Sequence, residues 1–170
     1  NGRVRPPSRG LCAATRPTVN CYKRLQLGDG LYSSRSDFTW TPAFITYGDN
    51  NRTQMIRTAG PGHFEDRAIS AGTNPYLALA DDLTAGLDGV KRGMEPGEPN
   101  LGNMYERSAE EIKAAGIGIL PQSLAEALEA LREDEVVQSA LGPIAAEFIA
   151  MKTDEWAEYD SQVSRWEVDQ

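Results

Sequence analysis

Residues 50–67 read NNRTQMIRTAGPGHFEDR, and this stretch predicts both a small sheet and a charged site. A Gly-Pro-Gly run at 60–62 is a turn signal, and it separates two short runs with strand character, 53–57 and 63–69. Upstream, residues 38–47 are rich in aromatic and β-branched residues, and 48–51 reads as another turn. Three short strands linked by turns predict an antiparallel sheet.

Beyond residue 73 the chain changes character and predicts helices. Asn74-Pro75 is a helix opening, with Asn as the cap and Pro as the first helical residue. Ser108 and Ser123 are each followed three residues later by Glu, as in a capping box. Pro143 begins the longest apolar stripe, which extends to residue 166. The predicted fold class is therefore α+β, a small antiparallel sheet followed by a helical C-terminal half, with residues 1–10 as a disordered segment or linker.

The charged residues of 50–67 predict a site for an anionic ligand. Arginine holds phosphate or carboxylate oxygens in a planar fork, and a carboxylate among arginines is suited to a metal shared with such a ligand. Arg52 and Arg57 are five residues apart, so they cannot share one strand face and one of them must act from a loop or bulge. His63, Glu65 and Arg67 alternate and are expected on one face. The alternative is a solvated hairpin with weak surface ion pairs.

Composition excludes several classes of function. The net charge of −8, from 17 basic and 25 acidic residues, argues against non-specific nucleic-acid binding. No run of 18 apolar residues exists, which predicts no membrane span, and no signal peptide is apparent, so the expected compartment is the cytoplasm. Cys12 and Cys21 are expected to be reduced rather than part of a disulfide framework.

Four motifs in order resemble the glutamine synthetase family. Residues 17–25, PTVNCYKRL, resemble its P-T-V-N-S-Y-K-R-L segment. Residues 51–57 are similar to its N-R-x-x-x-x-R strand and 63–67 to its R-I-E-x-R strand. Residues 74–89 match N-P-Y-L…A-G-L-D-G. The resemblance covers about 11–170, as the C-terminal portion of the catalytic domain. It is nearest to the branch of type III-like glutamate–ammonia ligases and γ-glutamylmethylamide synthetases.

The resemblance implies an ATP-dependent ligase that forms a γ-glutamyl phosphate, which an amine then converts to an amide. Arg24 and Arg67 would hold glutamate, and Arg52 and Arg57 would stabilise the transferring phosphoryl group, with Arg52 also contacting ATP. Glu65 would bind Mg²⁺ or Mn²⁺. His63 stands where the family usually has another nucleotide-side arginine. The implied partners are glutamate, ammonia or a small alkylamine, and further copies of the chain in a ring-shaped homo-oligomer.

Two departures from the family pattern bear on activity. Ammonia-using members have a Pro-Gly-Tyr-Glu loop after the Lys-Arg-Leu run, whereas this chain reads Leu27-Gly-Asp-Gly-Leu31, with Asp29 as the nearby acid. Most of the family's metal ligands also precede the region that these residues resemble. A non-catalytic fragment that folds or self-associates, and a γ-glutamyl-polyamine ligase, are the alternatives. These 170 residues alone are expected to be inactive.

Overall fold

The computed structural model describes residues 42–69 and 73–169. The elements along the chain are β1 (Tyr47–Asp49), β2 (Ile56–Gly60), β3 (His63–Asp66), α1 (Pro75–Lys91), a 3₁₀ helix (Met104–Glu106), α2 (Ala109–Ala114), α3 (Leu124–Arg132), α4 (Glu135–Leu141), α5 (Pro143–Asp160) and α6 (Arg165–Val168). The expectations for residues 1–41 lie outside the described residues; they include the segment 1–10, the two cysteines and the motif at 17–25. Within the described part, no helix combines the length and apolar character needed to cross a membrane.

The α+β class is confirmed, and the sheet is mixed rather than wholly antiparallel. β2 lies between β1 and β3. β2 and β3 pair antiparallel across the turn at 61–62, as predicted, with Arg57 opposite Glu65. β1 and β2 instead run parallel, with Tyr47 opposite Ile56. The antiparallel direction predicted for this first pair is therefore wrong.

The direction differs because the chain does not reverse in a tight turn after β1. Residues 50–55 fold back along the sheet before β2 begins. Asn51 stabilises this return, since its Oδ1 accepts hydrogen bonds from the backbone N–H and the hydroxyl of Thr53 at 2.9 and 2.8 Å. Of the predicted strand 38–47, the structure describes residues 42–47. In its described part Phe44 forms an isolated bridge with Ile119, and regular pairing starts at β1.

The predicted helix starts are confirmed by their caps. The Oδ1 of Asn74 accepts from the backbone N–H of Tyr76 at 3.0 Å, and Pro75 opens α1. Ser108 and Glu111 form the reciprocal bonds of a capping box at the start of α2. These bonds satisfy backbone N–H groups that have no partner inside the helix.

The helical half packs around α3 and α4. Its buried core side chains are Leu124, Ala127, Leu128, Leu131, Val137, Leu141 and Ala145. Phe148 and Ile149 of α5 pack against this core from outside. The stripe predicted along 144–166 is interrupted, because α5 ends at Asp160. Ile144 and Met151, which belong to that stripe, are more than half exposed.

Helix α1 has apolar residues on two opposite faces. Ala78, Asp81 and Ala85 are buried, while Leu77 and Ala80 pack against the core around α4. The other face carries an exposed apolar stripe, consisting of Tyr76, Leu79, Leu83, Leu87 and Val90, whose exposed fractions run from 56% to 83%. These residues recur every three or four positions, so they lie along one side of the helix.

The segment before the 3₁₀ helix is fixed against β1 at close range. The backbone N–H of Asn100 donates to the Tyr47 carbonyl at 2.8 Å. The Tyr47 hydroxyl donates to the Gly97 carbonyl at 2.5 Å. A Cβ at Gly48 would lie 2.3 Å from the carbonyl oxygen of Asn100, closer than two such atoms can approach. Glycine at 48 is therefore required by the packing of one backbone against another.

Replacing Gly48 with alanine is expected to destabilise the protein by about 1–3 kcal/mol, the usual cost of forcing an extra carbon into a packed site. The matched control is Gly86→Ala in α1, where an added Cβ meets no atom within 4 Å. That change should stabilise by roughly 0.5–1 kcal/mol, because alanine is the better helix former. Differential scanning fluorimetry of both variants should give shifts of opposite sign. An unchanged melting temperature for Gly48→Ala would contradict the close approach.

Candidate functional site

The predicted site residues lie on adjacent parts of the sheet. Arg57 is on β2, His63 and Glu65 are on β3, and Arg67 follows β3 directly. Arg52 lies in the loop between β1 and β2, so the two arginines do not share a strand face, as the sequence predicted. The prediction for Arg24 lies outside the described residues.

Glu65 joins two arginines. Its Oε2 accepts from Nη1 of Arg57 at 3.0 Å and from Nη1 of Arg67 at 3.3 Å. The fold explains this arrangement, because Arg57 is opposite Glu65 in the antiparallel ladder and Arg67 is two residues beyond it on the same face. The hydrogen bond from Arg57, reinforced by Arg67, lowers the pKa of the Glu65 carboxyl below its ordinary value. Glu65 is therefore an ionised carboxylate at neutral pH.

The opposite edge of the Arg57 guanidinium is bound to Asn50. The Asn50 Oδ1 accepts from Nε of Arg57 at 2.9 Å and also from its Nη2. Asn50, Asn51, Arg52 and Arg57 line an open cavity of about 500 Å³. Arg52 is exposed and forms no ion pair within the described part of the chain. Two guanidinium groups thus line the same space: that of Arg57 is fixed by hydrogen bonds, and that of Arg52 has no ion pair with a described residue. This arrangement suits a multiply charged anion such as phosphate.

His63 is not part of this cluster. It is exposed at the turn end of β3, and it forms no hydrogen bond or ion pair with the residues that the structure describes. Phe64, the next residue of β3, is 70% exposed. β3 lies at one edge of the sheet as far as it is described, and His63 and Phe64 directly follow the turn. The nucleotide-side role of His63 stays a prediction.

Behind the site, the carboxyl groups of Asp66 of β3 and Asp82 of α1 lie close enough to influence each other's pKa. The pKa of Asp66 is raised to about 7, chiefly by burial and in addition by the charges of Asp82 and Asp81, while a hydrogen bond from the Ala68 N–H opposes the shift. Burial likewise raises the pKa of Asp82. Two adjacent buried carboxylates repel each other, so one proton is shared between them near neutral pH.

Sequence reasoning missed two features of this site. Asn50 was interpreted as a turn residue, and its contact with Arg57 depends on the parallel pairing of β1 and β2. The buried acids of α1 did leave a signal, because Asp81 lies three residues after Ala78 and four before Ala85, on the small-residue face of the helix. A carboxylate on such a face indicates a buried polar contact.

A metal ion would find one suitable ligand here. Within residues 42–69 and 73–169, no group of three or more His, Cys, Asp or Glu side chains is arranged to hold one. Glu65 fits the role of a single carboxylate ligand, because it is ionised and both arginines bond to Oε2. The described residues therefore supply anion-binding groups and at most one metal ligand.

Comparisons with known proteins place the chain in a family. The family model for the glutamine synthetase catalytic domain matches residues 6–170. The glutamate–methylamine ligase of Methyloversatilis universalis is 51% identical over 158 residues, which cover 93% of this chain and 35% of that protein. The glutamine synthetase of Staphylococcus aureus is 42% identical over 168 residues, which cover 96% of this chain and 35% of that protein.

Solved structures give the same result. A GmaS–ADP complex matches with a TM-score of 0.79 and 42% identity, covering 94% of this chain and 35% of the other. Ligand-free GmaS matches with a TM-score of 0.68 and 39% identity over a similar extent. The chain thus spans about a third of the length of the relatives that it matches. On the match over residues 6–170, the chain belongs to the glutamine synthetase family and corresponds to part of its catalytic domain.

Proposed function

We propose that this chain is the C-terminal portion, residues 11–170, of the catalytic domain of an ATP-dependent glutamate–amine ligase. The observation that carries the proposal is the hydrogen-bonded row Arg57–Glu65–Arg67 beside a cavity that Arg52 also lines. Identity of 51% to a glutamate–methylamine ligase supports the same chemistry.

The proposed reaction transfers the γ-phosphoryl group of ATP to the γ-carboxylate of glutamate, and an amine then displaces phosphate to form the amide. Such a transfer depends mostly on positioning and charge stabilisation. Arg57 and Arg52 suit the phosphoryl oxygens because both line the cavity. Arg67 suits a glutamate carboxylate, together with Arg24. His63 is assigned to the nucleotide side.

Glu65 has two tasks in this scheme. It holds the guanidinium groups of Arg57 and Arg67 at a fixed spacing. The group assigned to the phosphoryl oxygens and the group assigned to glutamate therefore keep a constant distance from each other. Glu65 is also the residue that would hold Mg²⁺ or Mn²⁺, and a divalent cation there would offset the charge of phosphate oxygens. A ring-shaped homo-oligomer in the cytoplasm completes the proposal.

The proposal is tested with the full-length protein. Phosphate release should require ATP, glutamate and an amine together, and the γ-glutamyl amide should accumulate at the same rate. Omission of any one substrate is the control. Release of phosphate without amide product, or no turnover with either methylamine or ammonia, would overturn the proposed function.

Methylamine is expected to be a better substrate than ammonia. The loop that carries a glutamate in ammonia-using members has the sequence Leu27-Gly-Asp-Gly-Leu31 here, without that glutamate. The group that would bind and deprotonate ammonium is therefore missing from the matching position. One methyl group changes selectivity by roughly 1–3 kcal/mol, so residual ammonia activity should remain.

The measurement is kcat/KM for both amines at one pH, corrected for the unprotonated fraction of each. Asp29→Ala is the informative variant, since Asp29 is the acid in this loop. A clear preference for ammonia that Asp29→Ala abolishes would contradict the prediction and assign ammonium binding to Asp29.

A further inference from the structure

We propose that Asn50 is a positioning residue. It orients the Arg57 guanidinium toward the phosphoryl group and leaves the positive charge of Arg57 intact. The inference rests on the proposed function for the identity of the ligand. The contact itself is independent of that function. Asn50 belongs to none of the motifs by which the family was recognised in the sequence.

The backbone holds Asn50 in place for this contact. Its N–H donates to the carbonyl of Thr58 at 2.9 Å, which ties the end of β1 to the middle of β2. From this anchored point, Oδ1 accepts from Nε and Nη2 on one edge of the Arg57 guanidinium. Glu65 accepts from Nη1. The guanidinium plane is therefore held from two directions, and the described residues occupy three of its five N–H groups.

A neutral acceptor suits this position better than a carboxylate would. Glu65 already offsets part of the charge of Arg57 and Arg67. A second carboxylate at position 50 would fix Arg57 equally well but would cancel the charge that attracts phosphate. The amide oxygen of Asn50 accepts both hydrogen bonds without adding negative charge.

The neighbouring asparagine shows what a purely structural role looks like. The Asn51 side chain donates to the Gly102 carbonyl at 2.5 Å and accepts from Thr53, so it holds the return loop together. Within the described part of the chain, the Asn50 side chain bonds to Arg57 alone. Removal of the Asn50 side chain should therefore free Arg57 and leave the loop intact.

The kinetic test compares Asn50→Ala and Asn50→Asp in the full-length enzyme, with Asn103→Ala as the matched control. Asn103 is exposed and caps the 3₁₀ helix, and it is not among the described residues that line the cavity. Asn50→Ala should lower kcat about tenfold, corresponding to the loss of one or two hydrogen bonds to a charged group, with little change in KM for ATP or glutamate. Asn50→Asp should lower kcat at least as much, because it retains the bonds and cancels the charge. Activity of Asn50→Ala within twofold of wild type would overturn the proposal.

A second readout does not depend on catalysis. Phenylglyoxal modifies accessible guanidinium groups, and peptide mass spectrometry reports the rate at each arginine. Arg57 should react several-fold faster in Asn50→Ala than in wild type, while Arg52 serves as the internal reference at an unchanged rate. Asn50→Asp should keep the slow reaction of Arg57 with phenylglyoxal even though its kcat is low. The comparison therefore distinguishes an effect on the orientation of Arg57 from an effect on its charge. Equal rates for Arg57 in Asn50→Ala and wild type would overturn the proposal, even in a protein without ligase activity. Failure of the proposed function would therefore appear in turnover, whereas failure of this inference would appear in the modification rate of Arg57.

Discussion

Replacing Arg57 with alanine is expected to lower kcat of the full-length ligase by about 100-fold, with a small effect on KM for glutamate. Arg57 lines the cavity and is held on two sides, so the change removes a preorganised positive group where phosphoryl charge develops. Removal of one such donor typically costs on the order of 100-fold or more in kcat. Arg67→Ala should have the opposite profile and raise KM for glutamate by roughly 10–100-fold, since it removes a charge-assisted bond to the substrate.

Steady-state kinetics on the two variants, with ATP and glutamate varied in turn, measure this division. Both variants lose one hydrogen bond to Glu65. Arg57→Lys serves as a second comparison, because it keeps the positive charge and loses the planar pair of N–H donors. Arg92→Ala is the surface control, because its ion pair with Asp88 lies on the exposed side of α1. If both Arg57→Ala and Arg67→Ala changed KM for ATP alone, the assignment of the two arginines would be wrong.

Replacing Asp82 with asparagine is expected to stabilise the protein above pH 7 and to leave its stability near pH 5 almost unchanged. The pKa of Asp66 is raised from 3.8 to about 7 in the folded protein, first by burial. Between these values the folded state binds a proton that the unfolded state has released. The free energy of unfolding contributed by this group therefore falls as pH rises from about 4 to 7. An amide at position 82 donates permanently to Asp66 and removes the repulsion.

Three units of pKa correspond to an upper limit of about 4 kcal/mol, and burial, the largest cause, remains in Asp82→Asn, so a gain on the order of 1 kcal/mol is expected at pH 8. The measurement is the difference in melting temperature between Asp82→Asn and wild type from pH 5 to pH 8. Asp154→Asn removes the same charge from an exposed position on α5 and should show a flat difference. A difference for Asp82→Asn that is equally flat would show that the two carboxyl groups do not share a proton.

Local features of the chain were predictable and long-range pairings were not. Asn74 and Ser108 cap their helices through atoms two or three residues away, so the sequence pattern contains the whole interaction. The Arg57–Glu65 contact was also predictable, because the intervening turn makes the two strands neighbours. These features require no knowledge of the rest of the fold.

The parallel direction of β1 and the pairing of Asp66 with Asp82 depend on how distant segments meet. A turn signal at 48–51 does not distinguish a tight reversal from a loop that returns along the sheet. The spacing of Asp81 from Ala78 and Ala85 signals its burial, but the strand residue that the neighbouring Asp82 meets follows from the packing of α1. Asn50 was missed for the same reason, since its partner is set by strand pairing.

The exposed apolar stripe of α1 affects how long the chain is expected to last in a cell. Burying its five side chains would contribute on the order of 5–10 kcal/mol, comparable to the whole stability of a typical domain. Chaperones and proteases of the cell's quality control recognise such surfaces. A molecule that covers the stripe would persist, and one that leaves it in water would be retained or degraded. The lifetime of the chain in a cell is therefore expected to depend on whether this face of α1 is covered.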